Sequence, residues 1–361
     1  MTRDRGRQRG IALLLVMWVF MILGVLALDF ARYIRDDAMA AVNFAEETRG
    51  YYLALAGINR AIFDAERANE QARPGTPPVV QPGRGPNPPS DQDDDDQVLV
   101  PPDGEWHEGE LGGGRFSVRM VDEAGRIPLN RVREPLLTRV VSNVFQGGNA
   151  TTGLNKRELD AIATIVDAIL DWRDGDDLVR NHGAESDYYL GLRPPYRAKN
   201  GRFDSPEELI QVRGMNANLF YGNPEFPGLR DLFSVYSREL AVNIRSTTAP
   251  VLQALLGIDA ETAESMIAQR DTDAEGVLLK ANAQLAGIDP TLPSFFVNLP
   301  PRTVMIDARA DMQDERNRSR VAAVVELSSD DTEGAKVLRW LDRAPWVGTL
   351  PGTARHGGEA S

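Results

Sequence analysis

The residues with the clearest capacity for chemistry are carboxylates. Between Asp171 and Tyr189 the chain reads DWRDGDDLVRNHGAESDYY, which places Asp171, Asp174, Asp176, Asp177, Glu185 and Asp187 in one short, glycine-containing stretch. Crowded carboxylates repel one another unless water or a cation neutralises them. Ca2+ suits such a loop, because it accepts about six to eight oxygens in flexible geometry. The spacing is not that of an EF-hand, since no Asp-x-Asp-x-Asp-Gly frame with a twelfth-position Glu exists. From the residues alone two readings stand side by side, a solvated helix–loop surface and a calcium site.

Other chemistries find little material. The absence of cysteine excludes disulfides, thiolate catalysis and Cys-based metal sites, and the three histidines, His107, His182 and His356, all lie in polar, glycine-rich surroundings. Asp122-Glu123 and Glu207-Glu208 are adjacent carboxylates, but neighbours on a strand or helix point apart, so each pair reads as a solvated turn or helix start. The run Asp93–Asp96 reads as a solvated acidic loop. No Gly-x-Ser-x-Gly, Walker or Rossmann pattern is present, and the chain is not expected to be an enzyme. A net charge of −13 disfavours nucleic acid as a partner. VNIRSTTAPVLQALLGIDAETAESMIAQR resembles a helix-hairpin-helix unit. Its hairpin, Leu256-Gly257-Ile258-Asp259, carries an acid where a phosphate-binding hairpin needs a base, so it reads as packing.

The elements that must position these residues begin with the N-terminus. MTRDRGRQRG holds four arginines against one acid, and Ile11–Leu28 follows as eighteen residues without a charge. As a helix that segment spans about 27 Å, close to the hydrocarbon thickness of a bilayer. The basic flank is expected to stay in the cytoplasm and the bulk of the chain on the outer side. A secretory signal peptide cut near Val25-Leu26-Ala27 and a plain membrane anchor are the competing readings. Helical patterning runs on past Leu28 without a proline until Pro74, and Phe44, Thr48, Tyr51, Leu55, Ile58 and Ile62 recur at alternating spacings of four and three on one face. That stripe can cover the chain's own globular domain.

From Pro74 to Gln97 the composition turns to proline, glycine and aspartate, which reads as a flexible linker or loop. Arg115–Val121 alternates as a strand, and Arg302–Asp311 with Arg318–Ser329 reads as an antiparallel pair. The intervening stretch, with LLTRVVSNVFQ, KRELDAIATIVDAILDWRD, SPEELIQVRGM, APVLQALLG and AETAESMIAQRD, reads as helix. The expected fold is α+β: a long N-terminal helix packed on a small antiparallel sheet, with a large all-α domain inserted between strands. The expected divisions are a leader at 1–10, the helix at 11–73, a loop at 74–97, sheet at 98–125, the insertion at 126–295, sheet again at 296–347, and a tail at 348–361.

A basic leader ending in Gly10, followed by an apolar segment that continues as an amphipathic helix, resembles the type IV pilin and pseudopilin class. In that class a prepilin peptidase cuts after the glycine and N-methylates the next residue, which implies processing between Gly10 and Ile11. Most members carry a glutamate at mature position five; counted from Ile11 that position is Leu15. The departure, the inserted helical block, and the phrases GAESDYYLGLRPPYRAKNGRFDSPEELIQVRGM and SRELAVNIRSTTAPVLQALLG resemble the pseudopilin K family of type II secretion systems. The resemblance implies a noncatalytic subunit of the bacterial inner membrane, single-pass with a cytoplasmic N-terminus and a periplasmic bulk, at the tip of a periplasmic pseudopilus. It implies other minor pseudopilins as partners, with Phe44, Tyr51, Leu55, Ile58 and Ile62 as contacts, and calcium held among the six carboxylates. A minor pilin of a type IV pilus or competence system would share the N-terminus without needing the insertion, and an exported calcium-binding protein would discard it.

Overall fold

The computed structural model describes residues 7–71, 100–147, 153–223, 226–288, 294–311, 319–327 and 334–342. The loop expected at 74–97, including Asp93–Asp96, and the tail expected at 348–361 lie outside the described residues. Helix α1 runs unbroken from Arg7 to Gln71, its N-terminal part apolar on every face and long enough to cross a membrane. Its C-terminal part lies on a five-stranded antiparallel sheet of order β1-β2-β7-β8-β9, formed by His107–Leu111, Gly114–Asp122, Thr303–Asp311, Arg320–Glu326 and Lys336–Asp342. Alternation sends Phe116, Val118 and Met120 of β2, Val304, Ile306 and Ala308 of β7, and Val321, Ala323 and Val325 of β8 to the helix side. Ala54, Ile58, Ala61 and Ala65 meet them. Small residues bring the helix close: a Cβ on Gly57 would stand 2.9 Å from the Phe116 ring and 3.2 Å from Ala308. On the opposite face Asp307 is buried between Arg119, 3.0 Å away, and the guanidinium of Arg320.

The helical domain leaves the sheet after β2 and returns before β7. It contains β3 (Ile127–Pro128), α2 (Glu134–Phe145), α3 (Lys156–Arg173), α4 (Ser186–Leu190), α5 (Ala217–Tyr221), α6 (Leu229–Leu232), β4 (Phe233–Ser234), β5 (Val242–Asn243), α7 (Ala249–Leu256), α8 (Ala260–Arg270), α9 (Ala274–Ile288) and β6 (Phe296–Val297). One apolar core joins these elements from Ile127 to Phe296. Local signals account for the main helices. Asn155 and Glu158 form a reciprocal capping box at the start of α3, and Pro135 and Pro250 occupy the first turn of α2 and α7. Gly257 ends α7 in the left-handed region at φ +67°. There Arg139 and Asn143 of α2 donate to the last carbonyls of α7, Arg139 to Leu255 at 2.7 Å and Asn143 to Ala254 at 2.8 Å. The hairpin resembling a DNA-binding unit is therefore occupied by internal packing, and Asp259 caps α8 by accepting from Thr262 N at 2.7 Å.

The architecture is the α+β fold expected, with four corrections inside it. The insertion is not purely helical, because the two-residue parallel pairs β3–β4 and β5–β6 tie each of its ends to its middle. SPEELIQVRGM forms a 3-10 helix over Pro206–Gln211 instead of an α-helix, and Val212, in extended backbone at φ −73° and ψ 137°, ends it. Asp122 and Glu123 are both buried at 1 % exposure, where a solvated turn was expected. Ile58 is fully buried under the chain's own sheet, so it is a core residue and not a surface for another subunit.

Candidate metal centre

The acidic residues gather where α3 stops. Asp171 occupies the last turn of α3, Asp174 is its C-cap with its N–H on the Leu170 carbonyl, and Asp176 and Asp177 follow across Gly175. Negative charge at a helix C-terminus opposes the negative end of the helix dipole, so two carboxylates there are unfavourable without compensation. The cation in that turn, Arg173, is directed elsewhere: it donates to the carbonyls of Leu129 at 2.6 Å and Val132 at 2.7 Å. Glu185, the residue before α4, reaches in from the other side. Ligand oxygens of Asp174, Asp176 and Glu185 all lie within 4.8 Å of one another.

Several polar atoms of this corner have no hydrogen-bond partner among the described residues. Glu185 is only 6 % exposed, and among the described residues neither of its buried oxygens has a hydrogen-bond partner, nor do Asp171 Oδ1, Asp174 Oδ1 and Asn200 Oδ1. Buried acceptors are ordinarily paired, and five orphans at one place call for a donor or an ion. Arg180 supplies part of the balance, with Nε 3.4 Å from Asp171 Oδ1 and its backbone N–H donating to Asp171 Oδ2 at 3.2 Å. Burial, reinforced by the charges of Asp171, Asp174, Asp177 and Asp176, pushes the Glu185 carboxyl up to about 7. Burial also raises Asp171 and Asp174, each aided by a neighbouring aspartate. An oxygen-seeking divalent cation fits this set: the donors are hard oxygens, several are unpaired, and no histidine lies in the group.

The structure thus brings together four of the six expected carboxylates. Asp177 turns instead to Asn200, whose Nδ2 donates to its Oδ1 at 2.8 Å and to the Asp176 carbonyl at 2.9 Å. Asp187 sits exposed on the first turn of α4. Two residues of the corner escaped sequence reasoning. Asn200 comes from a later loop and holds a left-handed φ of +47°, which asparagine tolerates better than most residues; its Asn-Gly pair was the available signal. Gly183 lies so close to the Asp171 carboxylate that any Cβ would collide with it.

The N-terminal candidates sit on α1. Gly10 and Ile11 lie within the helix, and Leu15 is exposed on its apolar part. Phe44 is 71 % exposed, whereas Tyr51 and Ile62 pack against the sheet core and Leu55 is half-buried. Tyr51 donates to Asp342 of β9 at 3.1 Å.

A family model described as type II secretion system protein K matches residues 151–221, the stretch from the start of α3 through the acidic corner to α5. Type II secretion system protein K of Pseudomonas aeruginosa is 29 % identical over 160 residues, 44 % of this chain and 45 % of the relative. That of Aeromonas hydrophila is 41 % identical over 93 residues, 26 % of each chain, and that of Pectobacterium carotovorum is 24 % identical over 224 residues, 60 % of this chain and 61 % of the relative. The matches therefore span between about a quarter and three fifths of the relatives' length. Among solved structures, the GspK-GspI-GspJ complex from the enterotoxigenic Escherichia coli type 2 secretion system matches with a TM-score of 0.50 at 16 % identity, covering 66 % of this chain and 83 % of that one. This last likeness speaks to the fold. The family model and the relatives make residues 151–221 similar to the corresponding part of type II secretion system protein K.

Proposed function

We propose that the chain is a minor pseudopilin, a noncatalytic structural subunit at the tip of the periplasmic pseudopilus of a type II secretion system. The observation that carries the reading is α1, a single helix whose first part is apolar enough to cross a membrane and whose last part is the core helix of an antiparallel sheet. Such a helix joins a membrane-held subunit to a folded head. The inserted helical domain supports a terminal position, because it would obstruct stacking along a fibre shaft. Leu15 at mature position five removes the carboxylate that would pair with the amine of a subunit above.

In this reading the subunit sits in the bacterial inner membrane with its N-terminus cytoplasmic and its bulk periplasmic. A prepilin peptidase cuts between Gly10 and Ile11, and the new N-terminus is methylated. Its partners are other minor pseudopilins, as the relative of known structure is complexed with GspI and GspJ. Exposed side chains of α1 such as Phe44, Tyr52 and Phe63 remain available to them.

Asp174, Asp176 and Glu185, with Asp171 behind them, would hold a calcium ion, and Asn200 would fix the Asp176–Asp177 corner. When bound, the ion supplies the positive charge that the end of α3 lacks, and so stabilises the domain instead of catalysing a reaction. Elemental analysis with calorimetric titration of the chelator-treated protein tests the metal: one tightly bound calcium per chain is expected, and no bound calcium with no titration heat would remove it from the account.

A further inference from the structure

We propose that a buried carboxylate latch at the root of the helical domain locks that domain and the sheet into one rigid body. The two domains are joined by two crossings, out of β2 and back into β7, and an insertion on two strands could hinge there. Asp122, the last residue of β2, closes both. Its Oδ1 accepts from Ala124 N at 2.9 Å, and its Oδ2 accepts from Asn243 Nδ2 at 2.8 Å and Ser246 Oγ at 2.7 Å. Asn243 belongs to β5, inside the helical domain, and the same Nδ2 donates to the Leu299 carbonyl on the returning segment at 2.8 Å. One carboxylate thus ties the exit, the interior and the return of the insertion.

The next residue repeats the device. Glu123 accepts from Ser234 Oγ of β4 at 2.5 Å and from Arg126 at 3.3 Å, while β4 pairs with β3 just after the crossing. Between the two pairings the backbones touch: a Cβ on Gly125 would stand 2.4 Å from the Ser246 carbonyl. At the rim Arg238 pairs with Glu326 at 2.8 Å, and Arg339 of β9 donates to Tyr236 at 2.6 Å. Opening the hinge would strip a buried carboxylate of its two long-range donors, Asn243 and Ser246, at once and leave those donors without this partner, which opposes partial opening. Motion imposed on α1 and the sheet therefore reaches the helical domain undamped. The inference does not depend on the metal reading.

The chain has no cysteine, so single spin labels can be placed by substitution alone. Glu110→Cys on β1 and Arg157→Cys on α3, both exposed, report the distance between the domains by double electron–electron resonance in the full detergent-solubilised chain. The latch predicts one narrow distance peak in the otherwise native protein. Asp122→Ala and Asn243→Ala should each lose that peak to a broad distribution while circular dichroism keeps the helical content. Should either fail to fold, Ser246→Ala, which removes one donor, is read in its place. A broad or two-peaked distribution in the native latch overturns the proposal, as does a narrow peak that survives these substitutions.

Discussion

Glu185→Gln separates a metal ligand from an ordinary structural glutamate, because the two roles give opposite signs in the absence of metal. The Glu185 carboxyl is raised from 4.5 to about 7, first by burial and then by four neighbouring aspartates. The folded metal-free chain therefore holds a proton that the unfolded chain has released, so its stability falls as pH rises from about 4.5 to about 7 and levels off above. The full displacement corresponds to an upper bound of about 3 kcal/mol, and relaxation of the loop leaves roughly 2 kcal/mol. Glutamine removes the charge and with it the penalty. In chelator at pH 8 the variant should melt roughly 4–8 °C above the native chain, and the difference should shrink toward zero by pH 4.5. In excess calcium the order reverses, since saturating ligand at a thousand times its Kd contributes about 4 kcal/mol to the native chain and less to a variant lacking one anionic ligand. Differential scanning calorimetry at two pH values, with chelator and with calcium, reads all four corners. A variant less stable than the native chain in chelator at pH 8, by the same margin as in calcium, would refute the argument that Glu185 is a strained, metal-awaiting carboxylate.

Three further substitutions probe the frame. Asn200→Ala frees the Asp176–Asp177 corner and is expected to weaken calcium affinity about tenfold in isothermal titration, a loss on the order of 1.4 kcal/mol, and to lower metal-free stability by about 1–2 kcal/mol because alanine tolerates the left-handed backbone less well. Gly57→Ala pushes α1 off Phe116 and Ala308, costing about 1–3 kcal/mol in urea unfolding without touching the metal site. Asp307→Ala removes the buried carboxylate between Arg119 and Arg320 and should cost about 3–5 kcal/mol by the same measurement, since both guanidiniums lose their shared counter-charge.

Much of the fold was legible because one-sided burial imprints a period on the sequence. Phe116, Val118 and Met120 alternate with Ser117 and Arg119, and β7 does the same, while β8 is marked instead by the apolar run from Val321 to Val325, so these strands stood out. Strand β1, HEGEL, escaped because an exposed edge strand buries nothing that would mark it. Strand β9 escaped for a related reason: as the opposite edge, it leaves Val337, Leu338 and Trp340 largely exposed. The acidic corner was visible as a cluster, but sequence neighbours do not share a direction. Asp176 joins the group while Asp177 turns to Asn200, and Asp187 leaves it altogether. Asp122-Glu123 read as solvated because nothing in the local sequence shows that both crossings of a distant insertion converge on them. The stripe of α1 carried a real period, yet burial under the chain's own sheet claimed Ile58 and parts of Tyr51 and Ile62, leaving Phe44 outside.

The most direct test of the central claim is the mass of the mature N-terminal peptide, taken from protein isolated in bacterial membranes. Processing as a pseudopilin predicts a peptide that begins at Ile11 and is one methyl group heavier than its sequence. A peptide beginning at Leu28, with the protein recovered in the soluble fraction, would contradict the account and make this an exported protein that discards its apolar segment.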